Sequence, residues 1–185
     1  MLPRNAALIV IDVQKGFDDP ERGKRNNPEA ERNIAKLLEV WRASRMPIFH
    51  VKHDSLSSTG FLRPGQPGNE IKAEASPIDG EPIFTKHVNS AFIGTELEQR
   101  LREQGIGTPV VVGLTTDHCV STTARMAGNL GFDCYVVSDA TATFSRRGPT
   151  GKEFAAQEMH DTALASLHEE FATVIDTSHL LRMVH

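Results

Sequence analysis

Cysteine is almost missing from this 185-residue chain, with Cys119 and Cys134 its whole complement. Two thiols are too few for a disulfide scaffold and fit a reducing compartment in which a thiol can serve chemistry. Lys and Arg never gather into a block that would neutralise several phosphates, and the net charge is -4, so nucleic acid is not an expected partner. No run of about eighteen apolar residues exists to span a membrane. Met1-Leu2-Pro3-Arg4 leads straight towards a short apolar strand, without the charged and apolar regions of a secretory signal, and a cytoplasmic location is expected. The first strand opens into Asp12-Val13-Gln14-Lys15-Gly16 rather than a glycine-rich phosphate turn, which argues against a dinucleotide or ATP fold. Repeats, low-complexity tracts and polar linkers are lacking too, so one domain over 1-185 is expected.

What is present has ordinary globular proportions, 39% hydrophobic and 24% charged. Ala6 to Ile11 is a continuous apolar run, the mark of a strand covered on both faces of a parallel sheet. Ile34, Leu37, Leu38 and Trp41 are spaced as one helix face. Further strands are predicted at Pro47 to Val51, Pro82 to Thr85, Pro109 to Val112, Cys134 to Val137 and Ala172 to Ile175. Helices are predicted around Leu97 and Leu101, from Cys119 to Leu130 and from Phe154 to His168. The alternation implies a three-layer α/β fold with a six-stranded parallel sheet. The segment from His53 to Glu81 is longer than usual connections and reads as a lid or binding loop, or as a tolerated insertion.

Ligands of such sheets bind beyond the carboxyl ends of the strands. Asp12, Lys86 and Cys119 all fall on that edge. Cys119 at a helix N-terminus feels the positive end of the helix dipole, and a nearby Lys86 ammonium adds to it, so its pKa is expected to fall. Asp12 can take the thiol proton and return it to a leaving amine. Backbone N–H groups around Thr115 and Cys119 are suitable oxyanion donors. Singly, each residue has a bland reading: a turn-forming Asp, a solvated Lys, an inert core thiol. Cys134, inside a strand, reads as core.

Ile9-Val10-Ile11-Asp12-Val13-Gln14 with Phe17, Lys86 with Ser90-Ala91-Phe92, and Thr116-Asp117-His118-Cys119-Val120 resemble the isochorismatase-like cysteine hydrolases. The likeness extends to Arg63-Pro64-Gly65, Gly68-Asn69-Glu70-Ile71 and Val137-Ser138-Asp139-Ala140. It implies strand order 3-2-1-4-5-6 and a Cys–Asp–Lys triad with an acyl-enzyme on Cys119. It also implies a non-proline cis peptide at Leu114-Thr115 aiming the Thr115 and Cys119 N–H groups at an oxyanion. A homo-oligomer, dimer or tetramer, is what family members commonly form.

Two departures refine this expectation. The nicotinamidase branch holds a metal through an Asp and two His after strand two, whereas here His50-Val51-Lys52-His53-Asp54-Ser55 lacks the matching Asp-x-His. No catalytic metal and no other cofactor is expected, although His50, His53, Asp54 and His87 could assemble a different site. The namesake isochorismatases cleave a vinyl ether and lack a cysteine at the place of Cys119. The thiol favours hydrolysis of a C–N bond, amide, ureide or carbamoyl, in a small-molecule substrate. The alternatives are the ether hydrolase and a non-catalytic binding or redox-sensing protein with an oxidisable Cys119. Phe17 is expected to give the pocket an aromatic face. Arg63 reads as a solvated side chain or as the partner of a substrate carboxylate.

Overall fold

The computed structural model describes residues 1–184. Ala7–Ile11 (β1), Ile48–His53 (β2), Ile83–Lys86 (β3), Pro109–Leu114 (β4) and Tyr135–Ala142 (β5) pair in parallel. Two-residue strands at Arg146–Arg147 (β6) and Glu153–Phe154 (β7) make a separate antiparallel hairpin, and Thr173–Ile175 (β8) closes the main sheet. The order β3-β2-β1-β4-β5-β8 is the expected one, with β8 as its sixth strand. Both edge strands, β3 and β8, are short, which limits pairing with other chains.

Helices cover both faces. Ala30–Ala43 (α1) and Thr177–Met183 (α5) pack on one side, and Leu97–Glu103 (α2), Ser121–Asn129 (α3) and Ala156–Leu167 (α4) on the other. Alternate β1 residues divide accordingly: Leu8 and Val10 join the α1 and α5 core, Ile9 and Ile11 the opposite one. The predicted face of α1 is the buried one, and Trp41 also donates Nε1–H to the Ala6 carbonyl at 3.0 Å. Full burial of each such side chain contributes about 1.5–3 kcal/mol.

Four sequence expectations shift. Cys134 lies just before β5 rather than in it, though still buried. Phe154 belongs to β7, so α4 starts later than its apolar pattern suggested. A π-helical turn at Thr116–Val120 replaces the first turn of the helix predicted from Cys119. The α5 helix was not anticipated, although Asp176 caps it by accepting the His179 N–H at 2.7 Å.

Within β5 the register against β4 slips, from Val111 opposite Val136 to Gly113 opposite Thr141. The extra residues are put to use. Asp139 accepts the backbone N–H and the hydroxyl of Thr177, both at 2.7 Å, while Asn33 donates to its carbonyl at 2.8 Å. The Ser138-Asp139-Ala140 stretch thereby ties α1 and α5 to the sheet.

The loops above the sheet are fastened from below. Lys72 bonds Asp18 at 2.5 Å and Glu31 at 2.7 Å, and Arg25 grips the same Glu31 with both terminal nitrogens at 2.7 and 2.5 Å. One carboxylate on α1 therefore anchors the segments on either side of it.

Candidate active site

Asp12 follows β1 with φ at 51°, a left-handed conformation that a residue other than glycine adopts only when its surroundings impose it. Those surroundings are visible: its N–H donates to Val51 and its carbonyl accepts from Gln14. The Gln14 side chain in turn donates to the carbonyls of His53 and Asn69 and accepts the His53 N–H. Asn69 completes the clasp by donating to Asp54 Oδ1 at 2.8 Å and the Leu62 carbonyl at 2.7 Å. The end of β2 and the long loop are thus locked to the turn that carries Asp12.

Lys86 ends β3, paired across from His53. Its Nζ reaches Asp12 Oδ2 at 2.6 Å, His53 Nδ1 at 3.1 Å and Cys119 Sγ at 3.4 Å. Asp12 and Lys86 have no exposed surface and Cys119 only 8%. The three residues expected to work together are brought together, the acid and amine lying behind the sulfur. Asp12 Oδ1 is buried without a hydrogen-bond partner among the described residues.

The turn bearing Cys119 is held from two sides. Thr116 Oγ1 meets His160 Nδ1 of α4 at 2.9 Å, and Asp117 accepts from Thr143 and from Arg146 Nε at 2.9 Å. The Leu114-Thr115 peptide is cis, as the family likeness implied. His118 and Val120 donate to the Thr115 carbonyl, while the N–H between them, that of Cys119, does not. Gly113 lets β4 pass close to β1 here, since a Cβ at that position would stand 2.0 Å from the Ile11 carbonyl oxygen.

The acidity of Cys119 departs from expectation. Burial and the neighbouring Asp12 charge push the thiol up to about 12, outweighing the Lys86 ammonium. Burial and Asp12 thus favour the thiol form, and Lys86 the thiolate. Burial also raises the Asp12 carboxyl, against the pull of Lys86. His53 is held down to about 4 by burial and by Lys86, and so is neutral near pH 7. Burial pushes the Cys134 thiol up as well, consistent with its reading as core.

Cys119 opens onto a cleft of about 140 Å³. Phe17, the expected pocket residue, lines it with Thr115, and so do Arg22, His53, Asn89 and Arg146, of which the two arginines left no signal in the sequence. Nor is the face of Phe17 free, because Arg22 stacks its guanidinium on it at 4.6 Å. Arg63 is not among the residues lining this cleft and donates to the Ser58 carbonyl. A larger groove of about 520 Å³ by Arg42 and Arg100 contains no nucleophile.

Among the described residues, one donor cluster is tight enough for a metal: Asp12, His53 and Cys119, within 4.8 Å of one another. The Lys86 ammonium already stands against all three, at the position a bridging cation would need. His50 is instead engaged by Glu81 at 2.8 Å. The residues present do not fit a metal at this point.

Fold and site together define a class, three-layer α/β proteins of hydrolase type that present a thiol at the carboxyl edge of the sheet. Within that class the chain belongs to the isochorismatase family, whose domain matches residues 6–179. It is 49% identical to the isochorismatase family protein YrdC of Bacillus subtilis, over 95% of this chain and 94% of that one. It is 29% identical to nicotinamidase 3 of Arabidopsis thaliana, over 96% and 87%. The crystal structure of a Chromobacterium violaceum protein assigned to isochorismatase-family hydrolases matches with a TM-score of 0.96 at 41% identity, covering 100% of this chain and 95% of that one. No helix among the described residues is long and apolar enough to cross a membrane.

Proposed function

We propose that this hydrolase cleaves a C–N bond of amide, ureide or carbamoyl type in a small molecule, through a covalent acyl-enzyme on Cys119. The observation that carries the reading is the buried Asp12–Lys86 pair set against Cys119 Sγ, with Asp12 Oδ1 left unpaired. As the sulfur attacks the carbonyl carbon, its proton passes to Asp12 and the growing charge on sulfur is met by Lys86. The N–H groups of Thr115 and Cys119 receive the oxyanion. Asp12 then gives the proton to the departing nitrogen, the C–N bond breaks and a thioester remains. Water adds to the thioester with Asp12 as base, the acid is released, and the proton returns to sulfur. A neutral resting thiol suits this sequence, because the proton leaves only when substrate arrives. A redox sensor would have no use for Asp12 and Lys86 together beside its thiol.

The test is ammonia or amine release from a panel of amides, ureides and N-carbamoyl compounds by wild type, Cys119→Ala and Cys134→Ala. Activity is expected to vanish in the first variant and persist in the second, and acid-quenched wild type should carry acyl mass on the Cys119 peptide. Full turnover by Cys119→Ala on a substrate confirmed for wild type removes the proposal. Isochorismate turnover by that variant would support the ether-cleaving alternative.

A further inference from the structure

The cleft outside Cys119 holds a cation that no carboxylate pairs with directly, the Asp19 charge acting on it only from beyond ion-pair distance. Asp12 is paired with Lys86, and Asp117 with Arg146 through Nε at 2.9 Å. His53 is held down to about 4, and burial, helped by Arg146, keeps His118 below its ordinary value. Arg22 is different. No carboxylate comes within ion-pair distance of it among the described residues, and its Nε is buried with no hydrogen bond.

Its position is nonetheless built. Arg22 ends a short helical turn, Pro20–Arg22, capped by Asp19. Its guanidinium lies over the rings of Phe17 at 4.6 Å, Phe61 at 4.7 Å and Phe144 at 5.7 Å. Aromatic faces hold the cation without using its N–H donors, which lie in the plane of the group. A guanidinium held among three rings, with no side-chain hydrogen bond of its own among the described residues, keeps its fork of donors for a carboxylate. An anion entering the cleft would give the Arg22 guanidinium the charged partner it lacks among the described residues.

We propose that Arg22 is the receptor for a negatively charged group on the substrate, a carboxylate or an anion of similar size, so that the enzyme selects anionic small molecules. This inference rests on Cys119 being the nucleophile. Arg22 binds and orients; Cys119, within the same cleft, attacks.

Iodoacetate and iodoacetamide are nearly equal in size and differ in charge, which makes them suitable probes. Alkylation of Cys119 in the native protein is followed by peptide mass spectrometry at about pH 9, where more of the thiol ionises, with glutathione as reference. The iodoacetate-to-iodoacetamide rate ratio is expected to exceed that of glutathione by at least about tenfold, the factor one charge-assisted hydrogen bond supplies. Because the ratio cancels the thiolate fraction, an effect of Arg22 on thiol acidity alone would not move it. Arg22→Gln should return the ratio to the glutathione value and Arg22→Lys should keep part of it. Acetate should protect wild type from iodoacetamide, a readout that needs no variant to fold. A wild-type ratio equal to that of glutathione, or one unchanged in a folded Arg22→Gln, overturns the receptor and leaves the nucleophile standing. Absence of acetate protection likewise overturns the receptor, whereas the nucleophile is tested separately by turnover of Cys119→Ala.

Discussion

Lys86 Nζ stands 2.6 Å from Asp12 Oδ2 with neither side chain exposed to solvent. Such a pair is costly to form and more costly to break, since losing one partner leaves the other charge buried alone. Lys86→Met and Asp12→Asn are each expected to lower unfolding stability by about 3–5 kcal/mol. The double variant should lose clearly less than the sum, because it buries no lone charge. Guanidinium unfolding of the four proteins checks this, and simple additivity would mean that the two charges do not compensate each other.

The same pair sets thiol acidity in opposite directions. With Cys119 pushed up to about 12, its alkylation by iodoacetamide should keep climbing about tenfold per pH unit through neutrality without a plateau. Asp12→Asn removes a charge that raises the thiol and should shift the profile to lower pH, even as turnover is lost. Lys86→Met should shift it to higher pH. A plateau near pH 7 in wild type would show a standing thiolate instead.

Gly113→Ala tests the close approach of β4 to β1. The added methyl would meet the Ile11 carbonyl oxygen, and φ at 120° is hostile to any side chain. A loss of about 3 kcal/mol or more is expected, seen as a lower midpoint in thermal unfolding. Gly131→Ala, at φ 83° but with no atom within 4 Å of the new carbon, should cost only about 1 kcal/mol. Equal losses at the two positions would contradict the packing argument.

Glu31 links stability to acid. Burial would raise its pKa, but the hydrogen bonds from Arg25 and Lys72 outweigh it and bring the carboxyl down from 4.5 to about 2. A depressed carboxyl contributes stability that is fully present above the unfolded value and lost as pH falls through the folded one. Glu31→Gln should therefore cost about 2 kcal/mol or more at neutral pH, with the gap to wild type narrowing from about 4.5 towards 2. Urea unfolding across that range measures it, and a gap independent of pH would contradict the pairing.

The sheet could be foreseen because its strands are sequence-local apolar runs, and β1, buried on both faces, has no polar residue to obscure the signal. Asp12, Lys86 and Cys119 could be foreseen because they sit where those runs stop. Arg22 and Arg146 are placed by irregular turns and a two-residue hairpin, which leave no periodic trace, and their convergence depends on long-range packing. The raising of the Cys119 thiol is hidden from sequence for a related reason. A helix end and a lysine are visible in sequence, whereas burial and the orientation of Asp12 exist only after folding. For α5 the sequence carries a signal in the Asp176 cap, next to the stronger pattern of the strand before it.

The long loop after β2 has a topological consequence. Its tip at Ser57, Ser58 and Thr59 is exposed, the kind of place where a chain tolerates a break. A cut there would leave Asp12, Arg22 and His53 on one piece and Lys86, Cys119 and Arg146 on the other. The fragments would also divide the sheet between β2 and β3 and between β1 and β4, each keeping apolar surface that only its counterpart covers. Neither half alone would hold both sulfur and base, which makes this chain a candidate split reporter whose signal is the reunion of its two parts.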